Sequence, residues 1–182
     1  MRQLILTIIS CSCLFADKPI TAENILNLEY ISQPSINVGG TRIAYVKSVP
    51  PSSQSKSRSS FREVWVTDVD GTNQRQFTSG PNNSWSPEWT PDGNLSFLSL
   101  RKDHNKFTQI YTIPTDGGEA VPLTSHSGSV SSYSWSPNGR WIAYISKDKI
   151  SIEEQERKTE GYDMIVMGKE QLYNRLWIFD LE

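Results

Sequence analysis

The sequence predicts an all-β chain, an incomplete β-propeller of about three to four blades of antiparallel strands with a short N-terminal helix. Three observations lead there. First, Tyr133–Ile145 joins an aromatic strand end to a second strand through the turn Ser136-Pro137-Asn138-Gly139. Second, both faces of that second strand are apolar, with Trp141, Ala143 and Ile145 on one side and Ile142 and Tyr144 on the other. A half-solvated antiparallel strand would alternate apolar with polar, so this one expects a packed layer on each side. Third, the unit recurs. Gly40, Gly93 and Gly139 lie 53 and 46 residues apart (40 to 93, 93 to 139), and a strand-rich period of about 40–50 residues marks a propeller. An ordinary β-sandwich with a few similar turns is the alternative.

The unit before the strongest copy is Trp89-Thr90-Pro91-Asp92-Gly93-Asn94-Leu95-Ser96-Phe97-Leu98, one residue shorter after its glycine. The first copy, Gln33-Pro34-Ser35 through Gly40 to Val46, is looser and calls for a longer turn. A second strand type recurs as well, centred on Trp65, Tyr111 and Trp177. Asp70-Gly71 and Asp116-Gly117 follow the first two copies, a strong hairpin signal. Return strands are expected at Arg75–Thr78 and Ala120–Thr124. The spacing from Tyr111 to Trp177 is 66 residues against 46 from Trp65 to Tyr111, so the third unit carries an insertion. The insertion falls in Asp148–Asn174, with a charged stretch at Ser151–Glu160 and an apolar one at Met164–Gly168 expected to pack on the blade.

The rest of the chain reads in order. Met1–Ala16 has a positive start at Arg2, an apolar core at Leu4–Ile9 and Ala16 before a cleavage point, the pattern of a secretory signal. The domain layout is therefore a signal over residues 1–16 and a partial propeller over 17–182, with export to the periplasm or medium expected. The apolar run is too short for a stable membrane span. Lipid attachment at Cys11 is disfavoured because so little apolar core precedes it. Cleavage would remove Cys11 and Cys13, the only cysteines. Ile20–Tyr30 reads as a short helix with Thr21 as N-cap and Glu23 in the first turn. Ile25, Leu26 and Leu28 are expected to dock on the body. Pro50–Ser60 is a polar low-complexity loop.

Charge excludes one class of partner. With 18 Lys+Arg against 20 Asp+Glu the net charge is −2, no footprint for nucleic acid. Site chemistry is sparse, and the sequence assigns no catalytic, cofactor-binding or metal residue. His104 and His126 sit in polar loops and read as solvent-exposed. They lack zinc spacing and accompanying cysteines. Asp68-Val69-Asp70-Gly71 lacks the remaining ligands of a calcium loop and reads as a hairpin. Gly128-Ser129 does not extend to the Gly-x-Ser-x-Gly of a hydrolase nucleophile, and no phosphate-cradling glycine loop is present.

The order of elements resembles the N-terminal part of the prolyl oligopeptidase-like (S9) serine peptidases, including the acylaminoacyl-peptidase and dipeptidyl-aminopeptidase branches. The matching residues are Thr21–Leu26, Ile31–Pro34, Arg42–Val46 and, after the insertion, Asn174–Leu181. Trp135–Arg140 is similar to the repeat these enzymes share with periplasmic TolB propellers. The resemblance implies a propeller that caps an α/β-hydrolase domain and limits access to small peptides. The catalytic Ser, Asp and His would then belong to a hydrolase domain absent from these residues. The implied partners are that domain, the remaining blades and a peptide substrate. A period near 46 over residues 17–182 yields three to four units, where a ring takes about 4–8. The chain alone is expected not to close a ring, and to expose an apolar blade face. The competing functional class is a TolB-like propeller that binds proteins in the cell envelope.

Overall fold

The computed structural model describes residues 20–51, 60–80, 82–101, 106–147, 156, 159–161 and 173–182. After a short helix α1 (Ala22–Leu26), three antiparallel sheets follow one another along the chain. Blade I comprises β1 (Tyr30–Ile36), β2 (Arg42–Val49), β3 (Phe61–Asp68) and β4 (Arg75–Gln76). Blade II comprises β5 (Ser84–Trp89), β6 (Leu95–Ser99), β7 (Gln109–Ile113) and β8 (Val121–Pro122). Blade III comprises β9 (Val130–Trp135), β10 (Trp141–Lys147) and β11 (Asn174–Asp180). In each blade the strands pair in chain order, as a meander.

The repeat seen in sequence is a repeat of backbone bonds. Gly40, Gly93 and Gly139 donate to Asn37 O, Thr90 O and Ser136 O, each at 2.9 Å. All three glycines have positive φ (64°, 89° and 75°), a conformation that costs an L side chain energy. The first turn is therefore no longer than the others, contrary to the sequence expectation. Its opening residue is Asn37, whose Oδ1 accepts from the N–H groups of Thr41 and Arg42 at 2.8 and 2.9 Å. Gln33-Pro34-Ser35 instead forms a β-bulge inside β1, matched by Ser86-Pro87 inside β5. The Ser-Pro and Gln-Pro pairs look alike in sequence but occupy different places in the blade.

A second set of bonds closes the outer strands. Thr78 Oγ1 accepts from Val64 N–H at 2.8 Å, and Thr124 Oγ1 accepts from Ile110 N–H at 3.0 Å. The Asp-Gly turns behave as hairpins: Gly71 N–H bonds Asp68 O at 2.9 Å and Gly117 N–H bonds Pro114 O at 3.3 Å. Asp70 takes the N–H and hydroxyl of Thr72, which lower its pKa. That carboxylate finishes a turn.

The faces of the blades are chemically distinct. Trp65, Tyr111 and Trp177 sit in third strands directly opposite Tyr45, Phe97 and Tyr144. In blades II and III these aromatic pairs point toward the preceding blade. Phe97 and Tyr111 stack at 6.2 Å and pack with Ala44, Val64 and Val66 of blade I. Tyr144, Ile142 and Tyr133 pack with Leu98 and Ile110 of blade II. Every residue of β6 is buried, because blade II has a neighbour on each face. Blade III has one. Leu176 and Ile178 on its other face are 69% and 67% exposed.

Two sequence expectations fail here. Ile25, Leu26 and Leu28 do not dock; all three are exposed on and after a five-residue helix. The helix is instead held locally, by a capping box between Thr21 and Asn24. His126 is half-buried between blades II and III, its ring 4.7 Å from that of Trp177 and 5.6 Å from that of Tyr144. The loop that carries it folds inward because Gly128 is buried. A Cβ there would come within 2.8 Å of Lys147 O. The segment 1–16 expected to be a signal, with Cys11 and Cys13, His104, most of Pro50–Ser60 and the apolar Met164–Gly168 lie outside the described residues.

Phe97 is fully buried at the centre of the first interface. Phe97→Ala is expected to lower unfolding free energy by about 3–5 kcal/mol in urea titration, whereas Leu176→Ser should change it by less than about 0.5 kcal/mol.

Candidate functional site

The first strands of the three blades converge, and there the structure concentrates its polar chemistry. Gln33 and Ser86 both precede a proline and both have positive φ, 53° and 51°. Each bulge takes its residue out of the ladder and turns its polar groups toward the neighbouring blade. Ser86 N–H donates to Gln33 Oε1 at 2.8 Å, and Ser86 O accepts the Tyr133 hydroxyl at 2.9 Å. One residue of blade II thus ties blades I and III. Trp89 Nε1–H donates to Ser35 O at 3.0 Å, adding a second tie to blade I.

Ser96 is the matching junction toward blade III. Its hydroxyl accepts from Trp135 Nε1–H at 2.8 Å, donates to Glu88 O at 2.9 Å and lies 3.0 Å from the Tyr133 oxygen. Ser96 is fully buried, so these bonds replace the water it lost. Burial pushes the Tyr133 phenol far above its ordinary range, which keeps it a neutral hydrogen-bond donor.

Beside this network lies a pocket of about 520 Å³ between the ends of β1, β5 and β9, lined by Ile36, Glu88, Trp89, Ser134 and Trp135 among others. Among the described residues Glu88 is the one charged side chain in its lining. Burial raises its pKa, and the Trp135 backbone N–H opposes that rise. A half-buried carboxyl flanked by two indoles can accept hydrogen bonds from a ligand. The sequence reading found Trp89 and Trp135 as strand ends and missed Glu88, Ser96 and Tyr133. Their only signal is alternation, which places them on a strand without saying what they touch.

His126 Nδ1 lies 3.3 Å from the Tyr144 hydroxyl, within an inter-blade contact. Among the described residues, no three His, Cys, Asp or Glu side chains are grouped to hold a metal ion, and no helix is long and apolar enough to cross a membrane.

No protein-family model matches the chain. Over 126 residues it is 35% identical to the uncharacterized peptidase YuxL of Bacillus subtilis, a match covering 69% of this chain and 18% of that protein. The chain is related to the propeller part of prolyl oligopeptidase-like peptidases. Over 142 residues, 78% of its length, this peptidase-type propeller is 23% identical to dipeptidyl-peptidase 5 of Porphyromonas endodontalis, of which it covers 20%. It therefore spans only 18–20% of the length of these curated relatives. The same fold is found in the acylaminoacyl peptidase of Pyrococcus horikoshii (TM-score 0.61, 14% identity, 86% of this chain and 24% of that one). It is found again in a putative TolB of Agrobacterium tumefaciens (TM-score 0.55, 17% identity, 85% and 46%).

Two outcomes follow from this geometry. Tyr133→Phe leaves Ser86 O without its partner, and should cost about 1–3 kcal/mol in thermal or chemical unfolding. The folded state holds the Glu88 proton more tightly than the unfolded chain, so its contribution is full below the ordinary value of 4.5 and is lost as pH rises through the raised one. Glu88→Gln should flatten that fall, read as Tm against pH.

Proposed function

We propose that this propeller controls peptide access to a serine peptidase domain lying outside these 182 residues, and that it works in an exported protein. The relationship to a peptidase over 69% of the chain carries the reading. The blade chemistry supports it: the aliphatic face of blade III, with Ala143, Ile145, Leu176 and Ile178, matches the faces that blades I and II bury against an aromatic neighbour. Its occupant is a further blade of the same ring. The polar network ties the converging first strands of the three blades together, as a size filter would require. We place no catalytic residue in this chain.

A second reading rests on the likeness to the TolB structure, of which the chain covers 46%. A propeller with no hydrolase attached would bind proteins in the envelope.

Assays of the product of the whole reading frame separate the two. A gated peptidase should cleave a dipeptidyl reporter, spare casein, and gain casein cleavage when the propeller is deleted. Absence of fluorophosphonate labelling and of reporter cleavage would overturn the peptidase reading in favour of the binding module.

A further inference from the structure

Ser48, Ser99 and Ser146 lie near the ends of the second strands, and all three are buried to 1% or less. Two have partners. Ser99 Oγ donates to Asn83 O at 3.0 Å and Ser146 Oγ to Ser129 O at 3.1 Å. Ser48 Oγ has none, and neither does the equally buried Arg101 Nε. Unsatisfied buried polar atoms are rare in native structures and ask for a ligand or water.

These atoms lie at the same end of the cleft between blades I and II. Ser48 pairs directly across the ladder with Arg62, so both share the face that continues Ala44 and Val46 toward blade II. Arg101 continues the alternation of Leu95, Phe97 and Ser99, and its guanidinium stacks 4.7 Å from the Tyr111 ring in the same interface. The Arg62 guanidinium stacks 4.4 Å from the Trp85 ring. The Arg62 N–H bonds Asn83 Oδ1 at 2.8 Å, and Asn83 O takes the Ser99 hydroxyl, which ties the two arginine-bearing segments together. Among the described residues neither arginine enters an ion pair. Glu63 points to the opposite face, where its carboxylate accepts from Trp65 Nε1–H.

We propose that this end of the cleft is a carboxylate-binding subsite, with Arg62, Arg101 and Ser48 as donors. Two guanidiniums each held over an aromatic ring lose little freedom on binding. Their planar forks suit a carboxylate better than an ammonium could. Among the described residues these donors face no paired carboxylate, so the site selects an anion.

The test is calorimetric titration of the 182-residue protein with three capped peptides. Ac-Ala-Ala carries a terminal carboxylate, Ac-Ala-Glu-Ala-NH2 a side-chain carboxylate, and Ac-Ala-Lys-Ala-NH2 neither. Saturable binding of at least one acidic peptide, at least tenfold tighter than the lysine peptide, is expected, and the tighter of the two acidic peptides identifies the source of the carboxylate. Arg62→Gln and Arg101→Gln should each weaken it at least tenfold, and Arg62→Lys should fall between. Arg62 is exposed, so its variants keep the test intact if Arg101→Gln fails to fold. No saturable binding, equal binding of the lysine peptide, or affinity unchanged within twofold in Arg62→Gln overturns the proposal. None of these readouts needs peptidase activity, so the subsite and the gating reading stand or fall separately.

Discussion

The structure depends on one contact used twice: the aromatic face of a blade laid on the aliphatic face of the blade before it. Phe97 and Tyr111 meet Ala44, Val64 and Val66; Tyr133 and Tyr144 meet Leu98 and Ile110. Large flat rings bury much area per residue, and the aliphatic partners pack closely beneath them. Because the two faces differ, the stacking has a direction. It adds blades only at the aliphatic side of the last one or the aromatic side of the first. Blade I presents Tyr45 and Trp65 on that first side, with the Lys47 ammonium 4.9 Å from the Trp65 ring centroid.

Stacking of this kind leaves the first strands crowded together, and the bulges answer that crowding. A regular strand at Ser86 would send its N–H and C=O into its own sheet. The bulge at Ser86-Pro87 frees both for Gln33 and Tyr133, so the blades are joined by directional bonds where apolar packing thins out. The positive φ values at Gln33 and Ser86 are strain held in place by these partners. The same crowding dries Glu88 enough to raise its pKa and shapes the pocket around it.

Surface charges contribute little to this arrangement. Arg140 reaches Asp180 at 3.2 Å and Glu182 at 2.9 Å, stitching the ends of β10 and β11. Exposed pairs of this sort are worth only tenths of a kcal/mol. They set where the strands end, while the interior sets that they pair at all.

Local chemistry was enough to determine the blades. Gly93 and Gly139 with Pro91 and Pro137 specify turns, Asp70-Gly71 and Asp116-Gly117 specify hairpins, and apolar residues on both faces of β10 specify a sandwiched sheet. These are short-range or periodic properties, which a sequence displays directly. What lies between blades was decided only in three dimensions. Gln33-Pro34 read as a turn because a proline pair has the same local preference in a turn and in a bulge; the contact with Ser86, 53 residues away, selects the bulge. His126 read as exposed because its neighbours are polar; Gly128 lets that loop close onto Tyr144 and Trp177. Glu88, Ser96, Arg62 and Arg101 carry no motif, and their roles come from which face of which neighbour they meet. Such pairings join residues tens of positions apart, and strand periodicity cannot encode them.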